Sequence, residues 1–318
     1  MREWDTSALL NIALTADDLR VNRAATQLLL RLIESGYDEA VVEEVDLRSL
    51  ERTLAVDDSE INTVGTGILL LLIDNGHGET VVDTVELQLI KDLLFSEDPE
   101  TSSLAGLVLL ALTEEGLGEA VEEEVGLDHL YEILFSEVWT ETKVTVGNTL
   151  IAFVNEGQAR AVANSIDTVE FRELIATDEY PASEVAGRIL ESLLSSHDRL
   201  AIESAIRTVA DLSEKYPHRI PELIDIGLLE DIIRSEEISD TSVQAVQILA
   251  TLAETELAGA IVDGIDLRVF DHVLSLYDSQ RISSHEQAAI GSLRVLRTLS
   301  SSDYADAVVE HVNVGRFG

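Results

Sequence analysis

Side chains that commonly carry chemistry are sparse in this sequence of 318 residues. Cysteine is absent, which excludes thiol catalysis and thiolate metal ligands. The histidines lie at positions 77, 129, 197, 218, 272, 285 and 311, and none has another histidine four residues away. His285-Glu286 therefore lacks the second histidine of a metalloprotease helix. The histidines predict no metal or hydrolytic centre.

Two short segments have the composition of ion-binding sites. Residues 64–67 read VGTG, as in a glycine-rich phosphate loop, but they lie within a helical pattern and no strand precedes them. Glu122, Glu123 and Glu124 are oxygen ligands of the kind that hard cations prefer. Consecutive helical residues point in different directions, which favours a solvated surface instead. We therefore predict neither a cofactor nor a metal.

The elements around these residues repeat with a period of 40. Gly36, Gly76 and Gly116 are 40 residues apart, and three segments are copies of one phrase: EAVVEEVDL (39–47), ETVVDTVEL (79–87) and EAVEEEVGL (119–127). A fixed period of this length is typical of a helical solenoid. Each repeat predicts three helices: a short one over the phrase, a second with leucines three and four apart, and a longer third that ends at the glycine.

The third helix is expected to bury one side against the rest of its repeat. In the first repeat the expected core stripe contains small and apolar residues, namely Val21, Ala25, Leu28, Leu29 and Leu32. In the second repeat the third helix is predicted over residues 61–75.

The repeat phrase resembles armadillo repeats and the broader HEAT-like class. The matching residues are AVVEEVDL at 40–47, the leucine-rich helix after it and the long helix that closes at Ser35-Gly36; PELIDIGLLEDIIRSEE at 221–237 is also similar to a second helix of the family. The resemblance implies an all-α, right-handed solenoid of repeats of about 40 residues, with third helices lining a concave face. It does not identify a partner, because this scaffold serves many functions.

The regular pattern is interrupted near residue 197. Residues 184–196 and 200–214 both match third helices, with only residues 197–199 between them. We expect an irregular junction there that divides regular armadillo-like repeats (1–196), which start mid-repeat, from looser armadillo/HEAT-like repeats (197–318), which end mid-repeat. Self-association through the exposed solenoid ends is a further expectation.

The chain carries 61 acidic and 21 basic side chains, a formal net charge of −40, and only Lys91, Lys143 and Lys215 are lysines. This composition resembles that of proteins from extreme halophiles, in which acidic side chains solvate the protein in brine; a surface for basic partners is the alternative. Such a charge argues against nucleic-acid binding. No transmembrane run and no signal peptide are evident, which predicts a cytoplasmic protein without membrane contact.

The acidity is concentrated outside the third helices. Residues 61–73, 102–113 and 144–155 contain no charged side chain, whereas the first helices carry many acidic ones, namely Glu43, Glu44, Glu122, Glu123 and Glu124. Opposite the expected core stripe, the predicted partner-binding positions of the concave face are Gln27, Arg31, Gly67, Leu70, Leu71, Leu107, Leu110, Ala111, Gly147, Leu150 and Ile151. Either neighbouring helices cover these positions, or they form an apolar groove for a peptide or helix.

Later repeats place polar residues at the corresponding positions, namely Arg207, Gln244, Gln247, Arg294 and Arg297. Arginines there are suited to carboxylate or phosphate groups, although a solvated surface also explains each one. Armadillo proteins that hold extended peptides often use repeated Trp and Asn on the third helix. Only Asn22 and Asn148 fall near such positions, and Trp4 and Trp139 do not, so that binding mode is not expected here.

The sequence as a whole favours a non-enzymatic scaffold or adaptor that binds another protein or a peptide on its concave face. The alternative is a ligand-handling or lyase-type subunit, since some HEAT-like solenoids are related to bilin lyases.

Overall fold

The computed structural model describes residues 6–56, 58–176, 181–234, 239–280 and 283–312. All regular elements within these ranges are helices, as the repeat pattern predicts. They form two compact units, residues 1–158 and residues 159–318.

The first unit contains one repeat with two helices and three repeats with three helices each. These are α1 (Thr6–Leu14) and α2 (Leu19–Glu34); α3 (Asp38–Glu44), α4 (Leu47–Leu54) and α5 (Ser59–Leu72); α6 (Gly78–Thr84), α7 (Leu87–Leu93) and α8 (Pro99–Leu112); α9 (Gly118–Glu124), α10 (Leu127–Phe135) and α11 (Thr140–Phe153).

The second unit begins with another three-helix repeat and continues less regularly. Its helices are α12 (Ala159–Ser165), α13 (Thr168–Ala176), α14 (Ala182–Leu194), α15 (Arg199–Lys215), α16 (Ile220–Leu223), α17 (Gly227–Ile233), α18 (Asp240–Ala253), α19 (Ala258–Gly264), α20 (Arg268–Gln280), α21 (Ser283–Ser300) and α22 (Ala305–His311).

Local signals in the sequence set the ends of these helices. The side chains of Asp18 and Asp58 accept hydrogen bonds from backbone N–H groups in the first turns of α2 and α5, and Pro99 begins α8. The predicted terminal glycines Gly76 and Gly116 have φ of 85° and 83°, a left-handed conformation that glycine adopts without strain. The start and end signals therefore confirm the period of 40 in this part of the chain.

The core is built from the columns that the repeat defines. The leucines of the second helix of the second repeat, Leu47, Leu50 and Leu54, are buried, as are their equivalents in the next two repeats. Polar contacts join neighbouring repeats: Thr53 Oγ1 donates to the carbonyl of Leu14 at 2.6 Å, and Arg23 pairs with Asp58 at 2.6 Å. The hydrogen bond from Arg23 holds the pKa of Asp58 below its usual value.

The predicted core stripe of α2 is wrong at two positions. Val21 and Leu28 are 41% and 47% exposed, whereas Ala25 and Leu29 are buried. The buried side of α2 is completed by Asn22, Thr26 and Ile33. Thr26 can enter the core because its hydroxyl donates to backbone carbonyls of its own helix. The stripe was misplaced because small polar residues were excluded from it.

Two long helices follow one another at the predicted junction. α14 ends at Leu194 and α15 begins at Arg199, so no short helices separate them, and the two helices are in contact. The boundary between the compact units lies at 158/159, and the junction near 197 is internal to the second unit. A division of the chain at 196/197 stays a prediction.

Candidate functional site

The third helices of the first unit pack side by side in the order α2, α5, α8, α11. On each helix, buried side chains alternate with half-buried or exposed ones at the same positions of the repeat. We call the side of these four helices that points away from the core the third-helix face. Most of the predicted partner-binding positions of the first unit lie on it.

The fourth repeat is one residue out of register with the others. α11 begins 41 residues after α8, at Thr140 instead of 139, and the positive-φ glycine after it is Gly157. Gly147 and Leu150 therefore occupy the positions of Gly106 and Leu109, and all four are buried. Their predicted placement on the surface is corrected: in α11 the third-helix face is formed by Val144, Asn148 and Ile151 instead.

One line of positions across the third-helix face is aliphatic in every repeat. It consists of Leu30, Leu70, Leu110 and Ile151, and we call it the aliphatic row. All four side chains are partly exposed, so the neighbouring helices do not cover them fully. The row therefore keeps partly exposed aliphatic surface on four adjacent helices, and contiguous apolar surface of this kind marks contact sites.

Two further lines flank the aliphatic row. One contains Gln27, Gly67, Leu107 and Asn148, and the other contains Arg31, Leu71 and Ala111. In both lines, the residue of the first repeat is exposed and polar, and the residues of the next two repeats are half-buried and uncharged. Gly67 faces open space, since a Cβ added there meets no atom within 4 Å. The side-chain oxygen of Asn148 is buried without a hydrogen-bond partner in the described structure.

An acidic row lies one helical turn beyond the aliphatic row. It consists of Glu34, Asp74 and Glu114, each four residues after the aliphatic residue of its repeat and each exposed. Glu34 pairs with Arg31 at 2.7 Å. Asp74 and Glu114 have no ion pair among the described residues. These two carboxylates follow the C-terminal ends of α5 and α8, where the helix dipole is also negative.

The opposite edge of the third-helix face has a cleft beside Trp139. The cleft has a volume of about 510 Å³ and is lined by Pro99, Glu100, Ser103, Leu104, Trp139 and Glu141. Trp139 precedes α11 at the position where α5 and α8 are preceded by Asp58 and Asp98. Its indole N–H donates to the carbonyl of Ser96 at 3.1 Å, yet the residue remains 43% exposed.

In the second unit, α15 packs against α18, and α18 packs against α21. The predicted positions on these helices are polar and accessible: Arg207, Gln247, Arg294 and Arg297 are exposed, and Gln244 is half-buried. Arg294 pairs with Glu254 at 2.8 Å. The surface of these helices in the second unit therefore carries both positive and negative charges.

The remaining titratable candidates have structural contacts. His77 shares a 2.9 Å hydrogen bond with Asp38 of the preceding repeat, and this bond lowers the pKa of Asp38. Burial lowers the pKa of His129, whose ring lies against Phe95. Among residues that the structure describes, no three His, Asp or Glu side chains lie together in a way that would hold a metal ion. None of the described helices has both the length and the apolarity needed to span a membrane.

Sequence reasoning missed three features of this site. The register of α11 was detectable, because the glycine after it lies 41 residues beyond Gly116. The acidic row was also detectable as a column in which Glu34, Asp74 and Glu114 recur every 40 residues. The cleft at Trp139 has no comparable signal, because the residue departs from the repeat.

The comparisons with known proteins concern the fold. No protein-family model matches the sequence, and neither does any curated protein. An engineered protein of known structure is similar over 97% of this chain and 82% of its own, with a TM-score of 0.55 and 18% identity. A designed armadillo repeat protein in complex with the peptide (KR)4 is similar over 77% of this chain and 99% of its own, with a TM-score of 0.56 and 11% identity.

A computationally designed armadillo repeat protein for modular peptide recognition gives a similar result, with a TM-score of 0.53 and 12% identity over 77% of this chain and 99% of its own. At these identities the similarity concerns the backbone and not the surface residues. The three-helix repeats, their glycine ends and these neighbours together show that the chain has the all-α fold of armadillo-like repeat solenoids.

Proposed function

We propose that this protein is a binding scaffold that holds a segment of a partner protein on the third-helix face of residues 1–158. The aliphatic row is the observation that carries this proposal. Leu30, Leu70, Leu110 and Ile151 keep partly exposed apolar surface in every repeat. Partly exposed apolar side chains gain free energy when a partner removes them from water.

The surroundings of the row support the proposal. Leu71 and Leu107 are half-buried beside it and widen the apolar strip. Two designed proteins of this fold are described by their complex with the peptide (KR)4 and by peptide recognition. A non-enzymatic role agrees with the structural contacts that occupy His77 and His129.

The test compares two double variants of tagged protein. Leu70→Arg with Leu110→Arg places two charges in the aliphatic row. Val169→Arg with Val309→Arg is the matched control, because both valines are exposed, at 53% and 68%, and lie in the second unit. Circular dichroism first establishes that both variants have the helical content of the wild type.

Proteins are then captured from an extract of the native cell in about 2 M salt, which suppresses contacts that rest on charge alone. We expect a partner that the wild type and the control retain and that the row variant loses. An identical set of proteins on all three would overturn the proposal.

A further inference from the structure

We propose that the partner segment is a cationic amphipathic helix, which lies along the aliphatic row with basic side chains directed to the acidic edges of the third-helix face. This inference rests on the proposed function and adds the chemistry of the partner. Three observations carry it: the charge of both edges, the spacing of the row and the width of the strip between the edges.

Two of the three carboxylates in the acidic row are not compensated within the described structure, whereas Glu34 pairs with Arg31. α5 and α8 contain no basic residue, and Asp74 and Glu114 have no ion pair in the described structure. Carboxylates at the C-terminal end of a helix lie next to the negative end of its dipole, and the repulsion destabilises the helix. A basic partner would relieve both this effect and the repulsion between the two carboxylates.

The opposite edge is also anionic at α8 and α11, beyond the part where Arg23 pairs with Asp58 and Glu60. Glu100 and Glu141 lie at the cleft beside Trp139, and neither has an ion pair among the described residues. The cleft combines carboxylates with the exposed ring of an aromatic residue, and this combination suits the cationic end and apolar stem of Lys or Arg. Both edges therefore select basic side chains, while the row between them selects apolar ones.

The spacing of the row matches a helix better than an extended chain. Neighbouring packed helices are about 8–10 Å apart, so the row presents one aliphatic side chain at about that interval. Residues seven apart in an α-helix lie on the same side at about 10.5 Å, whereas those of a strand recur at about 6.8 Å. A helix can therefore place one apolar side chain over each member of the row.

The width of the strip agrees with the same occupant. Glu100 lies in the first turn of α8 and Glu114 lies two residues beyond its end, and these 14 positions correspond to about 21 Å at the helical rise. A helix with side chains is about 10–12 Å across, which leaves room for long basic side chains to reach both edges. A single extended chain, at about 4.8 Å between neighbouring strands, would leave much of the strip uncovered.

The experiment uses synthetic peptides of about 21 residues and the full-length protein. The first peptide is an amphipathic helix of Leu, Ala and Lys, the second has Glu in place of Lys, and the third is a scrambled form of the first. Affinities are measured by fluorescence anisotropy at the lowest salt concentration that keeps the protein fully helical. We expect the Lys helix to bind at least tenfold more tightly than either of the others.

Two charge variants locate the effect. Asp74→Asn with Glu114→Gln neutralises the two unpaired carboxylates of the acidic row, and Glu43→Gln with Glu123→Gln removes two exposed carboxylates from first helices as the matched control. We expect Asp74→Asn with Glu114→Gln to weaken binding of the Lys helix at least fivefold. The control variant should keep its affinity for the Lys helix within twofold of the wild type. Equal losses in both variants, or equal affinities for the three peptides, would overturn the inference.

Trp139 reports the position of the peptide once Trp4, which lies outside the described residues, is replaced by Phe. We expect the emission of Trp139 to change when the Lys helix saturates the protein, and unchanged emission would place the peptide elsewhere and overturn the inference. The proposed function fails separately, if Leu70→Arg with Leu110→Arg retains every native partner. Loss of a native partner from that variant, together with equal peptide affinities, would leave the scaffold function standing and remove only the cationic helix.

Discussion

The two units pack their long helices in the same way but present different surfaces on them. In the first unit, residues 61–72 of α5 and 102–112 of α8 are uncharged, and aliphatic side chains lie between acidic edges. In the second, α15 and α21 present Arg207 and Arg297. The buried columns obey one packing rule in both units, so the fold does not require this difference. The outward columns are therefore where the long helices of the two units differ in charge and polarity.

The units also differ in how their surface charges are balanced. In the second unit Arg294 pairs with Glu254, and Arg172 pairs with Asp211 at 2.6 Å. In the first, Arg23 pairs with Asp58 and Arg31 with Glu34, but Asp74 and Glu114 have no such partner in the described structure. A surface whose charges are already paired gains little electrostatic free energy from binding a charged partner. A surface with unpaired charges of one sign gains more. This contrast directs the search for a partner to the first unit.

The largest expected effect is that of salt, and it should differ between the units. Residues 1–158 contain more acidic and fewer basic side chains than residues 159–318. The screening length grows from about 3 Å at 1 M salt to about 10 Å at 0.1 M, so repulsion returns on dilution. We expect the helical circular dichroism signal to disappear in dilute buffer and to return in molar KCl.

Hydrogen exchange followed during dilution should show the first unit losing protection before the second. Full helicity in the absence of added salt would contradict the prediction and remove the halophile interpretation of the acidity. Simultaneous loss in both units would contradict only the difference between them.

The sequence predicted the repeat, its three helices and its terminal glycines because each depends on local signals. Leu47, Leu50 and Leu54 show this clearly, since their spacing alone identifies the buried side of α4. The site was harder to predict, because the exposure of an outward residue depends on its neighbours in adjacent repeats. Leu150 adds a second reason, because the one-residue register shift of α11 moves it to the buried position of Leu109, whereas Leu70 is half-buried.

The second largest expected effect is on stability, and it tests whether the side chains of the aliphatic row lie at the surface or in the core. Leu69 is fully buried, whereas the adjacent Leu70 is only half-buried and lies in the row. We expect Leu69→Ala to lower the free energy of unfolding by about 3 kcal/mol, from lost burial and the cavity left behind. Leu70→Ala should cost about 1 kcal/mol, because the side chain has less burial to lose.

Urea denaturation in molar KCl measures both free energies of unfolding. Equal costs for the two alanine variants would mean that Leu70 belongs to the core, and the contrast between the two units would lose its main support.

A smaller effect separates glycines that permit close packing from one that faces solvent. A Cβ at Gly106 would overlap the Oγ1 atom of Thr145, whereas one at Gly67 would meet no atom within 4 Å. Gly106→Ala should therefore destabilise the protein by about 1 kcal/mol, the crowding being partly offset by the better helix propensity of Ala. Gly67→Ala should stabilise it by about 0.5–1 kcal/mol. Thermal melts of the two variants would contradict this account if both shifts had the same sign.

The smallest effect concerns the polar contact between the first two repeats. The hydrogen bond from Arg23 lowers the pKa of Asp58, so the folded state releases this proton more readily than the unfolded state. The resulting stability is present above the ordinary pKa of 3.8 and is lost as the pH falls through the lower folded value. Asp58→Asn retains a good helix cap but cannot titrate, so its stability should fall less steeply below pH 4. Urea midpoints measured from about pH 5 downward test this, and Asp83→Asn at an exposed position is the control. If the midpoint changes equally steeply with pH in the wild type and in Asp58→Asn, the contact adds no pH-dependent stability.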